Sequence, residues 1–186
     1  ICSGGLESTR LFCEVYEALD PGCCILAEDP DTALIAGSCF YHPRETHVSL
    51  GIMNAHPTFF GRGVASQLLK AICDIADESR LPLRLVSSAL NLDSFSLYTR
   101  HGFVPRATFQ DMLYPVPKTG VDLAKAGLAA ESPAPNKLRD AQLKDLPALG
   151  ALERSIHQLS REKDYRHFIE NRAGIWGTSV CAGEGG

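Results

Sequence analysis

The chain has 186 residues, 45% of them hydrophobic, enough for one domain or for one domain with part of another. Its formal net charge is -4 and 22% of its residues are charged, so it carries no basic footprint for nucleic acid. No apolar run approaches a membrane span, no secretory pattern opens the sequence, and its seven cysteines lack the CxxC spacing of a zinc site or redox motif and read as buried small hydrophobes in a reducing cytosol.

Leu6–Leu19 places Leu11, Phe12, Val15, Tyr16 and Leu19 at helical spacing, and Asp20-Pro21-Gly22 ends that helix. "CCILAE" (Cys23–Glu28) and "TALIAGSCFYH" (Thr32–His42) read as a hairpin around Asp29-Pro30-Asp31. "THVSLGIMNAH" (Thr46–His56) alternates as a third strand. From Val64, the residues Leu68, Leu69, Ile72, Ile75 and Ala76 share one helix face, with an end expected near Arg80 because Pro82 follows. "LPLRLVSSA" (Leu81–Ala89) reads as a central strand. "NLDSFSLYTRHGF" reads as a short amphipathic helix with Gly102 as its C-cap, and "FVPRATFQDMLYP" as a returning strand. The order predicts an α/β mixed sheet with helices: antiparallel hairpins first, then β-α-β crossovers.

Composition shifts after Pro117. Residues 118–136 are rich in Ala, Gly, Pro and Ser and read as a linker. "LRDAQ" then predicts a short strand, and a helix opens near Asp145, with Asp145 as N-cap and Pro147 in its first turn. "REKDYRHFIENR" predicts a second helix and "IWGTSVCAGE" a strand. The helix–turn–strand order of "RHFIENRAGIWGTSVCAGEGG" echoes that of "FCEVYEALDPGCCILAEDPD". We therefore expect residues 1–117 to form one unit and 137–186 the beginning of a second similar one. Ile1 in place of Met and the abrupt stop at Gly186 suggest that both units are incomplete.

The chemistry centres on "HPTFFGRGVASQLL". A glycine-rich turn that feeds a helix exposes unpaired N–H groups at the positive end of the helix dipole, which suits an anion. GK[ST] is absent, so this is not a Walker A loop, and the dinucleotide fingerprint lacks its third glycine.

Together, "AHPTFFGRGVASQLL" and "NLDSFSLYTRHGFVP" resemble the paired signature of the GNAT acyl-CoA N-acyltransferases over roughly residues 6–115. The resemblance implies the GNAT fold and a cofactor site for acetyl-CoA, with no metal. Gly61, Arg62, Gly63, Val64, Ala65 and Ser66 fall on the family's pyrophosphate loop. Phe60 stands where the family uses Gln or Arg, and Arg62 is placed to supply positive charge instead. Asn91 matches the family Asn beside the pantetheine arm, and equally fits an N-cap. Tyr98 matches the Tyr that protonates the departing thiolate. The third strand is expected to splay from the strand Leu83–Ala89. Its amides near Ile52 and Met53 would then hold pantetheine or polarise the thioester. Glu45, His47 or a water relay is the candidate base.

The resemblance implies an acetyl-CoA-dependent N-acetyltransferase of tandem type, located in the cytoplasm. Its acceptor would be a small-molecule or peptide amine, with no nucleic-acid or membrane partner, and pairing as a homodimer or between tandem units. The rival implication is a CoA-binding domain that regulates or scaffolds without turnover.

Overall fold

The computed structural model describes residues 6–110, 115, 117–120 and 138–181. Helix α1 (Leu6–Leu19) leads through a turn at Gly22 into β1 (Cys24–Glu28), β2 (Ile35–Pro43) and β3 (Val48–Ala55). Helix α2 (Val64–Glu78), the two-residue strand β4 (Leu83–Arg84) and helix α3 (Leu92–Arg100) follow. The sheet order is β1-β2-β3-β4, antiparallel throughout the first three strands and parallel between β3 and β4. This is an α/β mixed sheet with helices, as expected from the pattern.

Strand alternation gives β2 two different faces. Cys39 belongs to a buried cluster with Val48 and Leu50 of β3 and Leu68, Leu69, Ile72 and Ala76 of α2. On the other face, Tyr16 of α1 meets the rings of Phe40 and His42, with centroids 5.5 and 4.5 Å away. Gly37 makes the close approach of α2 possible. A Cβ there would lie 2.9 Å from Val64 Cγ1 and 2.7 Å from the Asn54 carbonyl oxygen. Leu69 and Ile72 are fully buried, so the α2 face supplies much of the apolar burial that stabilises the sheet.

The C-terminal described segment forms its own two-stranded antiparallel sheet from β5 (Leu138–Asp140) and β6 (Ser179–Cys181). Between them lie α4 (Leu146–His157) and α5 (Glu162–Glu170). Asp145 stands at the N-cap position of α4, as expected, but its side chain makes no capping bond there. Its carboxylate instead accepts from Arg139 and from the Gln142 amide.

Three expectations are corrected. The strand foreseen over Leu81–Ala89 shrinks to Leu83–Arg84, because no neighbour among the described residues pairs with it beyond that point and Val86 is 88% exposed. Residues 103–110 form no strand, while 111–114 lie outside the described residues. Helix α3 is capped at His101, and Gly102 follows it at φ +87°. Of the cysteines, Cys39 is buried, Cys23, Cys24 and Cys73 are half-buried, and Cys13 and Cys181 are exposed. Cys2 and most of the expected linker lie outside the described residues, as does the end of the last expected strand.

Candidate functional site

The site is built on a gap in the sheet. β3 and β4 pair only at Val48–Leu83 and Ser49–Arg84, and the Val48 amide donates to the Pro82 carbonyl at 3.0 Å. Beyond this point β4 ends, while β3 runs on to Ala55 paired with β2 alone among the described residues. The edge of β3 from Leu50 to Ala55 therefore presents backbone donors and acceptors to the gap. Ile52 and Met53 lie on this stretch, both half-buried.

The loop after β3 ends in two left-handed glycines. His56 starts a 3-10 turn, Pro57–Phe59, its Nδ1 accepting from the Thr58 amide. Phe59 is buried and anchors the turn. Gly61 and Gly63 then take φ of +77° and +80°, a conformation costly for residues with a Cβ. Gly63 is the N-cap of α2, and no side chain caps the helix. The first-turn amides of α2, at Val64, Ala65 and Ser66, thus remain available at the positive end of its dipole. A Cβ built on Gly61 or Gly63 would meet nothing within 4 Å, so the loop faces open space.

The Arg62 guanidinium lies 5.3 Å from the Phe59 ring centroid, which holds a positive charge beside the loop. Phe60 is 68% exposed and contributes an apolar face rather than a hydrogen-bonding group. Backbone amides and a nearby positive charge make this end of α2 suited to an anion without help from the Phe60 position.

Helix α3 borders the same region. Asn91 Oδ1 accepts from the Ser94 amide at 3.2 Å and caps the helix. Tyr98 is half-buried against Phe103 and against the cluster that holds Cys39, the register partner of Met53. Met53 packs against that cluster too. Burial raises the Tyr98 pKa above the ordinary value, and the nearby Cys39 thiol adds to the shift. Its hydroxyl has no hydrogen-bond partner among the described residues, leaving it a neutral donor available to a ligand.

Glu45 and His47 are not brought to this place. They occupy the turn at the opposite end of β3, and His47 lies six residue steps from Met53 along the strand, about 20 Å. His47 is 1% exposed, and burial lowers its pKa, helped by Arg84, Arg44 and Arg161. Glu45 accepts a hydrogen bond from the Ser160 hydroxyl.

Beside them lies a charge cluster that the sequence pattern did not reveal. Asp20, 2% exposed, accepts from His42 Nδ1 at 2.6 Å, from both Arg44 terminal nitrogens, and from Lys163. Burial pushes the Asp20 carboxyl up, but these bonds outweigh it and hold the group well below the usual carboxylate range. No local signal joins Asp20 to Lys163 across such a sequence separation.

Among the described residues no group of three His, Cys, Asp or Glu could hold a metal ion, and no helix is long and apolar enough to cross a membrane.

Comparison with solved structures finds several acetyltransferases. One titled a probable acetyltransferase is 21% identical, with a TM-score of 0.48, covering 60% of this chain and 78% of its own. Ard1 from Thermoplasma volcanium is 18% identical, with a TM-score of 0.48, covering 53% and 66%. The NatC complex bound to Gag peptide and CoA is 18% identical, with a TM-score of 0.43, covering 54% and 67%. No curated protein matches the sequence. The model of the acetyltransferase (GNAT) family matches residues 5–103, more than half of the chain. With that match laid over the short β3–β4 ladder, the left-handed glycines and Tyr98, this chain belongs to the GNAT acetyltransferase family.

Proposed function

We propose that the chain transfers an acetyl group from acetyl-CoA to a primary amine by direct attack. The observation that carries this reading is the pairing of two open, left-handed glycines at the start of α2 with the unpaired edge of β3. The amides of Gly61, Gly63, Val64, Ala65 and Ser66, with the Arg62 side-chain charge, would hold the diphosphate. The β3 edge at Ile52 and Met53 would hold the pantetheine arm and polarise the thioester carbonyl. Asn91 would face the pantetheine arm while capping α3.

In the reaction the amine nitrogen bonds to the carbonyl carbon and the carbon–sulfur bond breaks. The sulfur leaves with the electron pair and takes the Tyr98 phenolic proton; the new ammonium gives its proton to water, and water returns one to the Tyr98 phenolate. Glu45 and His47 stand about 20 Å from Met53 along the strand, so the water relay is the preferred base.

We further read residues 137–186 as the start of a second, similar unit, on the strand–helix–helix–strand order of β5, α4, α5 and β6. Pairing of such units, within one chain or between two, is part of this reading, as is a cytoplasmic location. Small-molecule or peptide amines are the acceptors, with neither nucleic acid nor membrane involved.

A second reading, CoA binding without turnover, draws on the apolar Phe60 and the remoteness of Glu45 and His47. Thiol release from acetyl-CoA over a panel of amines separates the two. Release that depends on both amine and Tyr98 supports transfer. Binding without release supports the non-catalytic domain.

A further inference from the structure

The C-terminal segment holds the turn between β2 and β3 at three places. That turn is closed by the Arg44 amide donating to the His47 carbonyl at 2.8 Å. Arg44 is ion-paired with Asp164 of α5. The Ser160 amide donates to Thr46 Oγ1 at 3.0 Å, and the Ser160 hydroxyl donates to Glu45 at 2.7 Å. Lys163 adds a fourth bond, 2.6 Å to Asp20, beside the turn. The side chains of Arg44 and Asp20 are almost wholly buried, so the first and last of these contacts are shielded from solvent on one side.

The position of this grip matters. The turn leads directly into Val48, whose amide bonds to Pro82, and the β3–β4 ladder extends only one residue further. His47, buried in the turn, has Arg84 of β4 and Arg161 and Asp164 of the C-terminal segment among its charged neighbours. The turn that starts β3 is thus tied directly to this segment at the closed end of the gap, and β4 is tied to it through its ladder with β3. A short ladder of two residue pairs is a weak hinge by itself.

We propose that residues 160–164 are a clamp that sets the opening of the β3–β4 gap, with Asp164 as a positioning residue for whatever the gap binds. The clamp fixes the turn at residues 44–47, the turn fixes Val48, and Val48 fixes where β4 begins. The effect on ligand affinity rests on the function proposed above, whereas the effect on strand pairing does not.

The experiment uses the full chain and three variants, Asp164→Asn, Asp164→Glu and Thr46→Val. Arg44 keeps its bonds to Asp20 in all of them, so the N-terminal core retains its own ion pair. Amide hydrogen exchange at Val48 is expected to quicken by about tenfold in Asp164→Asn and in Thr46→Val, while Ile72 in α2 stays protected. The dissociation constant for CoA, by calorimetry, is expected to rise by about fivefold in the same variants. Asp164→Glu, which keeps the charge, restores both. Unchanged exchange at Val48, or an increase shared equally by Ile72, overturns the clamp. A wild-type chain that binds no CoA would overturn the proposed function, and the exchange measurement would still decide the clamp.

Discussion

The Val48 amide and the Pro82 carbonyl, 3.0 Å apart, close one end of a gap that the rest of the sheet leaves open. One pair further on, at Ser49–Arg84, the ladder stops. At the far end of β3 the chain turns through Gly61 and Gly63 into α2. A ligand lying along the β3 edge would therefore reach the first-turn amides of a helix with its anionic end.

Gly63 allows strain and charge to be separated. Gly63→Ala and Gly63→Glu both place a Cβ at φ +80°, where an L-residue costs about 1 kcal/mol. The space is open, so neither adds a clash. The new carboxylate lies at the positive end of α2, which offsets part of the strain. Gly63→Glu is expected to melt no lower than Gly63→Ala. Yet it should weaken CoA by at least about tenfold, since like charges oppose there, while Ala changes it little. Paired melting curves and titrations check this.

Tyr98→Phe tests the proton donor. The hydroxyl has no partner among the described residues, so its loss should leave stability and CoA affinity nearly unchanged. Turnover should fall by roughly a hundredfold. An acid works only while protonated, and burial raises this phenol above its ordinary value. The alkaline limb attributable to it must therefore lie above about pH 10. Loss of rate in Tyr98→Phe equal to loss of CoA binding would count against the role.

Leu69 and Leu152 should behave oppositely although both are helical leucines. Leu69 is 0% exposed in the cluster under α2, and Leu69→Ala is expected to cost about 3 kcal/mol. Leu152 is 56% exposed on α4, and Leu152→Ala should cost less than about 0.5 kcal/mol. Urea unfolding followed by circular dichroism measures both.

Acid should destabilise the protein in two stages. The His47 pKa is lowered on folding by burial and then by Arg84, Arg44 and Arg161, so the unfolded chain takes up that proton first. Stability therefore falls as pH drops below about 6.5, and stops falling once the folded value is passed. Asp20 is lowered too, since its bonds from His42, Arg44 and Lys163 outweigh its burial. Its contribution is complete above about pH 3.9 and is lost as pH falls from there towards the folded value. His47→Gln should flatten the upper stage and Asp20→Asn the lower. Asp20→Asn should also cost about 3 kcal/mol at neutral pH, because Arg44 loses a buried partner. Unfolding series at several pH values provide the check.

The parts of this fold that depend on short-range patterns were legible. The turn at Asp29-Pro30-Asp31 marked the β1–β2 hairpin, alternation marked β3, 3.6-residue spacing marked α2, and the glycine pair marked the loop before it. Asn91 capping α3 was equally readable, because an N-cap is a local bond. Leu81–Ala89 misled, because its leucines and Val86 read as a strand whether or not a neighbour is present to pair with it. His47 misled for a related reason. Its sequence position beside β3 does not reveal that the strand carries it away from the glycine loop and buries it where three arginines oppose its charge. The Asp20–Arg44–Asp164 cluster is assembled by packing between distant segments, and periodicity has no access to it.

The central claim is that Gly61 to Ser66 cradle the diphosphate of acetyl-CoA, and calorimetric titration of acetyl-CoA into the full chain tests it most directly. Saturable binding of one equivalent, weakened at least about tenfold by Gly63→Glu with its fold intact, is the predicted result. No saturable binding to the wild-type chain, or equal affinity in Gly63→Glu, would contradict it.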